Sequence, residues 1–143
     1  MRKKAPLALM ELMVMSLVFA LAAALCLQAF VKSDRLSRDG EARDRAAVAC
    51  QSVAEVLRHT GGDFQEAARL LEAQSYEENS LMLDYDKNWN PAEDTMRYTV
   101  GAGLVDSGFP GLGKAAVWCR DEESDTELFR LEITWQKGGS GHG

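Results

Sequence analysis

The strongest pattern in the chain is an uninterrupted run of uncharged residues near the N-terminus. Residues 12–31 read LMVMSLVFALAAALCLQAFV, with Ser16 and Gln28 as the polar side chains. A helix needs about 20 apolar residues to cross a hydrocarbon core of roughly 30 Å, and this run has that length. A core helix of a small soluble protein is rarely apolar on every side over such a distance. The pattern therefore predicts a membrane-spanning helix.

The pattern after this run predicts that the helix continues beyond the lipid. Residues 32–45, KSDRLSRDGEARDR, alternate in sign, as is typical of a solvated helix or a linker. Gly40 weakens a helix there without ending it. Apolar residues then recur at helical spacing, at Ala46, Cys50, Val53 and Leu57. Because Gly61 and Gly62 form a strong stop signal, we predict one long helix from about residue 6 to about residue 59.

Downstream, the spacing of apolar residues changes from helical to strand-like. Asp63 followed by Glu66 is typical of a capping box and predicts a short helix that ends near Ser75. Four runs with a period of two follow, at residues 80–86, 96–104, 115–120 and 129–135. Strands joined by short loops favour an antiparallel sheet. The expected fold class is α+β, with a long N-terminal helix, membrane-embedded in its first half, packed on a small four-stranded antiparallel sheet.

These patterns divide the chain into five segments. They are a basic leader (residues 1–6), a transmembrane helix (7–31), a charged helical extension or linker (32–45), an extracytoplasmic α+β domain (46–136) and a flexible tail (137–143). The apolar segment is longer than the core of a secretory signal, so we expect it to be retained as an anchor. Basic residues are nearly balanced on its two sides, and charge therefore leaves the orientation open.

The charge of the predicted domain excludes some classes of partner. From residue 46 onwards the chain has eight basic and seventeen acidic side chains. This excess of acid disfavours nucleic acid, whose binding depends on neutralising phosphates. It also disfavours a domain lying on an anionic lipid surface, and it suits a domain solvated outside the membrane.

The three cysteines differ in their predicted surroundings. Cys26 lies in the apolar run, where it is expected to act as a small apolar residue. Cys50 and Cys119 lie in the predicted domain. In a compartment outside the cytoplasm these two are a possible disulfide, and two separate buried thiols are the alternative. The sequence leaves both open.

Candidate catalytic and metal-binding residues are few, and we expect neither an enzyme nor a cofactor. His59 follows the last turn of a helix, where an imidazolium is favoured by the helix dipole, and His142 lies in the tail. The sequence contains no Cys-x-x-Cys, no nucleophile elbow and no phosphate-binding glycine loop. Two acidic loops lack the alternating pattern of a calcium site, so we interpret them as solvated turns; their acids are Asp84, Asp86 and Asp94, and Asp121, Glu122, Glu123 and Asp125. Trp89 is expected either to contact a partner or to pack under its loop.

Glu11 is the one charge within the longer apolar stretch of residues 7–31. A carboxylate at membrane depth costs a few kcal/mol unless it is paired, protonated or close to the interface. One interpretation places Glu11 at the level of the lipid headgroups. The other gives it a cation on a neighbouring subunit.

The segment KKAPLALMELMVMSLVFALAAALCLQAF resembles the start of type IV pilins and of the pseudopilins of type II secretion and DNA-uptake systems. These proteins have a short basic leader, a cleavage point, and an apolar helix with a glutamate five residues in. Glu11 matches that glutamate, which implies cleavage between Pro6 and Leu7 by a prepilin peptidase. The family has a glycine before the cut and an aromatic residue after it, and here Pro6 and Leu7 stand in those places.

The resemblance implies a structural function. The family glutamate aligns subunits in a helical filament, often against the N-terminal amine of a neighbour. The chain would then be a minor pilin or pseudopilin of the cell membrane, with other pilin-like subunits and the bilayer as partners and its C-terminal domain extracytoplasmic. The alternative is a single-pass, membrane-anchored accessory or binding module with no filament role.

Overall fold

The computed structural model describes residues 4–138. Residues 1–3 of the predicted leader, and residues 139–143 of the predicted tail with His142, lie outside the described residues. The chain forms two compact units, one ending at Glu41 and the other beginning at Ala42. Helix α1, Lys4–His59, contributes residues to both units. Pro6 is accommodated because it lies in the first turn of α1, where backbone N–H groups have no partner within the helix.

Helix α1 ends where the sequence predicts, at the glycine pair that follows it. Gly61 and Gly62 have φ angles of 64° and 84°, a left-handed conformation that favours glycine. Helix α2, Phe64–Leu71, follows at once. The Asp63 side chain accepts a hydrogen bond of 3.1 Å from the backbone N–H of Glu66, which confirms the predicted cap. The helix ends four residues before Ser75, because Glu72 adopts a left-handed conformation with φ 54°.

The sheet has five strands, and the prediction of four strands is wrong. The strands are β1 Ser75–Glu77, β2 Ser80–Tyr85, β3 Tyr98–Val105, β4 Leu112–Asp121 and β5 Thr126–Gln136. They lie in chain order, and every neighbouring pair is antiparallel. The missed strand is β1, in which Tyr76 pairs with Leu81. Its three residues are all exposed, so the strand carries no alternating pattern that sequence analysis detects.

The core of the second unit lies between the C-terminal part of α1 and one face of the sheet. The helix contributes Ala46, Cys50, Val53, Ala54 and Leu57, the predicted stripe, and α2 adds Phe64 and Ala67. The sheet contributes alternate residues of its central strands, among them Leu81 and Leu83, Val100 and Ala102, Ala115, Val117 and Cys119, and Ile133. The α+β class and the packing of the long helix on the sheet are therefore confirmed.

Candidate membrane and assembly segment

The first unit is a stretch of helix whose apolar side chains are exposed over its whole circumference. Many of its large side chains are more than 60% exposed, among them Leu12, Phe19, Leu25 and Phe30. Helix α1 is the one helix in the described chain that is long and apolar enough to be a candidate membrane span. Exposed apolar surface of this extent is unfavourable in water, so the segment requires lipid or other protein around it.

Glu11 lies in this exposed helix, and among the side chains that the structure describes none forms a hydrogen bond or an ion pair with it. At about 100° of rotation per residue, it shares one helix face with Met15, Val18, Ala22 and Ala29. The small side chains of Ala22 and Ala29 allow a second helix to approach this face closely. The carboxylate is therefore available to a cation outside the chain.

Cys26 lies close to the same face. It is 15 residues beyond Glu11, which places the two side chains about 60° apart around the helix axis. The structure has Cys26 exposed, whereas Cys50 and Cys119 are buried. Ser16 points away from this face, at about 140° from Glu11.

Pro6 and Leu7, the predicted processing site, lie in the first turn of α1 and are both exposed. A peptidase that cuts between them must act on helical backbone. The N–H groups of this turn lack partners within the helix.

The charged segment of residues 32–45, for which the sequence leaves a helical extension and a linker open, lies within α1 and is exposed along most of its length. Asp34 and Arg38 form an ion pair of 3.2 Å, one turn apart. Such a pair on a solvated helix contributes a few tenths of a kcal/mol. Gly40 is accommodated within the helix and has open space around it.

Cys50 and Cys119 are free thiols in the structure, and both belong to the core between α1 and the sheet. Burial, which disfavours the charged thiolate, is the main cause that raises the pKa of each thiol from 9.0 to about 12; the negative charge of Asp121 contributes to the rise for Cys119, and repulsion between the two thiolates contributes to the rise for Cys50. Both thiols are therefore protonated at neutral pH and inaccessible to solvent, and the described residues that influence them raise their pKa values, which is the opposite of what activates a nucleophile.

Two of the remaining candidate residues, Asp86 and Trp89, make contacts within the fold. His59 is exposed at the end of α1. The carboxylate of Asp86 accepts hydrogen bonds from the N–H groups of Asn88 and Asn90, at 2.8 and 3.0 Å. Trp89 packs against the core, with its ring stacked on Tyr98 at 4.2 Å. Within residues 4–138, no three His, Cys, Asp or Glu side chains are grouped as metal ligands.

A polar contact between Arg97 and Asp121 in the second unit is not indicated by the sequence. Arg97 Nη2 donates a hydrogen bond of 3.1 Å to Oδ2 of Asp121, a residue that is 7% exposed. The Asp121 carboxylate also accepts the backbone N–H of Glu123 at 3.0 Å, which holds the β4–β5 turn. The two partners are 24 residues apart, and neither position carries a signal that distinguishes it from other surface charges. Asp121 is therefore a structural residue.

Comparison of the chain with protein-family models, with curated proteins and with solved structures finds no match.

Proposed function

We propose that this protein is a non-enzymatic, pilin-like subunit that is anchored in the cell membrane by α1 and assembles with other subunits through that helix. The observation that carries the proposal is the exposed apolar helix with a single unpartnered carboxylate, Glu11, on a face that includes Ala22 and Ala29. A carboxylate in such a position is favoured when a neighbouring subunit supplies the opposite charge.

The arrangement of the rest of the chain supports the same proposal. A single helix, Lys4–His59, supplies both the candidate span and the stripe that packs on the antiparallel sheet. That combination of an apolar helical start, a continuous amphipathic helix and a following sheet is the architecture that the N-terminal resemblance implies. The proposed subunit is a minor pilin or pseudopilin of a type II secretion, type IV pilus or DNA-uptake assembly.

Cross-linking through the native Cys26 tests assembly in the membranes in which the protein occurs. Because Cys26 lies near the Glu11 face, a neighbouring copy that packs on that face with its N-terminal amine toward the carboxylate brings its own thiol close to that of the first copy. A short thiol-specific cross-linker should therefore produce a covalent dimer of the full chain. Cys26→Ala should abolish the dimer, since the other two cysteines are buried.

The role of Glu11 is tested by two matched substitutions in the same helix. Glu11→Ala should strongly reduce the Cys26 dimer, because it removes the carboxylate that aligns the copies. Ser16→Ala changes a polar residue on another face and should leave the dimer unchanged. Equal dimer yields in both variants would contradict assembly through the Glu11 face.

A second candidate function is a membrane-anchored accessory module without a filament role. The observation that favours it is Pro6, which stands where the family has glycine and lies in the first turn of α1. Intact mass and N-terminal sequencing of the protein from its native membrane separate the two functions. A chain that begins at Leu7 supports the pilin-like subunit, and a chain that still begins at Met1 supports the accessory module.

A further inference from the structure

The two charges that flank the uncharged run are separated by the thickness of a bilayer. Glu11 and Lys32 are 21 positions apart and enclose residues 12–31, which carry no charge. At 1.5 Å per residue they lie about 31 Å apart along the helix axis, close to the thickness of a hydrocarbon core. In this register Glu11 lies in the headgroup layer of one leaflet and Lys32 in that of the other.

The helix could also lie deeper in the bilayer, shifted along its axis, because apolar residues precede Glu11. Leu7, Leu9 and Met10 are each more than 60% exposed, and a shift of one turn would bring them into lipid. The same shift would move Phe30 and Val31 out into the headgroups, so the apolar contributions of the two registers nearly cancel. The two positions therefore differ in free energy mainly through the carboxylate of Glu11. The shift carries this carboxylate about 6 Å into the hydrocarbon, where it is strongly disfavoured.

The C-terminal boundary of the span carries two cations that are suited to lipid phosphates. Within residues 4–138, neither Lys32 nor Arg35 has an acidic partner, whereas Arg38, the next base, pairs with Asp34. Long basic side chains in the first turn after a span extend toward the headgroups and attract their phosphate groups.

We infer that Glu11 and Lys32 together hold the helix at one depth in the bilayer, with phospholipid headgroups as the partner of both, and with Arg35 adding a second contact to phosphate. This inference rests on the membrane anchoring in the proposed function. It gives Glu11 a role in the unassembled subunit, where the carboxylate stays hydrated and prevents residues 7–10 from entering the lipid.

Cys26 provides a native reporter of depth for the experiment. It lies about 7 Å from the middle of residues 12–31, toward Lys32. The full chain is labelled at Cys26 with a fluorophore in vesicles of phosphatidylcholine and phosphatidylglycerol, and its depth is measured by quenching with lipids spin-labelled at known depths. Cys26→Ala gives the background, since Cys50 and Cys119 are buried.

Glu11→Leu joins residues 7–31 into one uncharged run and should let the helix recentre. The label should then move about 4 Å toward the headgroups on the Lys32 side. Two control variants should leave the label where it is in the native chain: Glu11→Asp, which keeps the charge, and Ser16→Leu, which adds an apolar side chain within the span.

Two outcomes would overturn the inference: an unchanged depth in Glu11→Leu, or an equal shift in Ser16→Leu. Failure of the proposed function has a different signature. If aqueous iodide quenches the label freely in every variant, α1 does not enter the bilayer at all, and the membrane anchor is contradicted along with its depth.

Discussion

The indole ring of Trp118 lies over Gly101, its cross-strand partner on β3, at the position that a Cβ atom on residue 101 would occupy. The glycine is required by this contact and not by backbone conformation, since its φ lies outside the left-handed region. The pair fills the face of the sheet opposite α1, between strands β3 and β4.

Replacement of Gly101 by alanine should therefore destabilise the second unit. The added methyl group meets the Trp118 ring, and displacing the ring should lower the free energy of unfolding by about 1–3 kcal/mol. Gly103→Ala, two residues along the same strand, meets nothing within 4 Å and should be neutral or stabilising by up to about 1 kcal/mol. Urea unfolding of the full chain in detergent, followed by circular dichroism, measures both; equal losses would contradict the contact.

The glycine pair after α1 offers a second matched comparison. Both Gly61 and Gly62 have positive φ angles, but only Gly62 lies against the ring of Trp135. Alanine at either position incurs the strain of a left-handed residue, of the order of 1 kcal/mol. Gly62→Ala should lose about 1–3 kcal/mol more than Gly61→Ala, because the Trp135 ring must also move.

Thermal unfolding of Gly61→Ala and Gly62→Ala, with the difference between their melting temperatures, tests this prediction. A further variant, Trp135→Ala combined with Gly62→Ala, removes the ring that the methyl group meets. Relative to Trp135→Ala alone, the added Gly62→Ala change should then cost no more than Gly61→Ala does. A larger cost in the absence of the ring would show that backbone strain alone explains the effect.

Removal of the Asp121 carboxylate should destabilise the β4–β5 turn. Asp121→Ala removes the acceptor of the hydrogen bonds from Arg97 Nη2 and from the N–H of Glu123, and it leaves the half-buried Arg97 guanidinium with the exposed Glu123 carboxylate alone, at a cost of about 1–3 kcal/mol. Glu132→Ala removes an acid from a more exposed ion pair with Lys114 and should cost less than about 1 kcal/mol. Unfolding of both variants at the same salt concentration provides the test, and a larger loss in Glu132→Ala would contradict it.

The buried thiols predict a loss of stability at alkaline pH. The pKa values of Cys50 and Cys119 are raised to about 12 in the folded chain, against 9.0 for an unhindered thiol. Between these values the unfolded chain releases the thiol protons and the folded chain keeps them. Stability should therefore fall as pH rises from about 9 to about 12, by at most about 1.4 kcal/mol per pH unit for each thiol.

The free energy of unfolding of Cys50→Ala, measured across this pH range, should fall less steeply with pH than that of the native chain. Ser52→Ala, which changes an exposed side chain of the same helix that does not titrate, serves as the control and should keep the native dependence on pH. Equal slopes in all three chains would indicate that the buried thiols do not ionise on unfolding in this range.

Local patterns in the sequence are sufficient to predict much of the fold. The apolar run, the stripe through Cys50 and Leu57 and the glycine stop together place α1, because each depends on residues a few positions apart. The alternation along Phe129, Leu131 and Ile133 likewise predicts β5. The strand β1 was missed because three exposed residues carry no such pattern, and its place in the sheet depends on pairing with β2.

Part of the candidate membrane and assembly segment can likewise be predicted from local sequence, and part of it depends on the folded chain. Glu11 and its apolar surroundings are contiguous in the chain, so the sequence alone identifies a charged residue at the edge of a membrane-length helix. The difference between exposed Cys26 and the two buried cysteines depends on which surfaces the folded chain covers.

The sequence by itself determined the long helix, its apolar first half and the α+β class, since hydrophobic periodicity is a property of neighbours in the chain. Only the tertiary structure decided that Trp118 lies over Gly101, that Trp135 lies against Gly62, and that Arg97 pairs with Asp121. These contacts join residues distant in sequence, and their partners are selected by strand register and side-chain packing, neither of which leaves a local pattern.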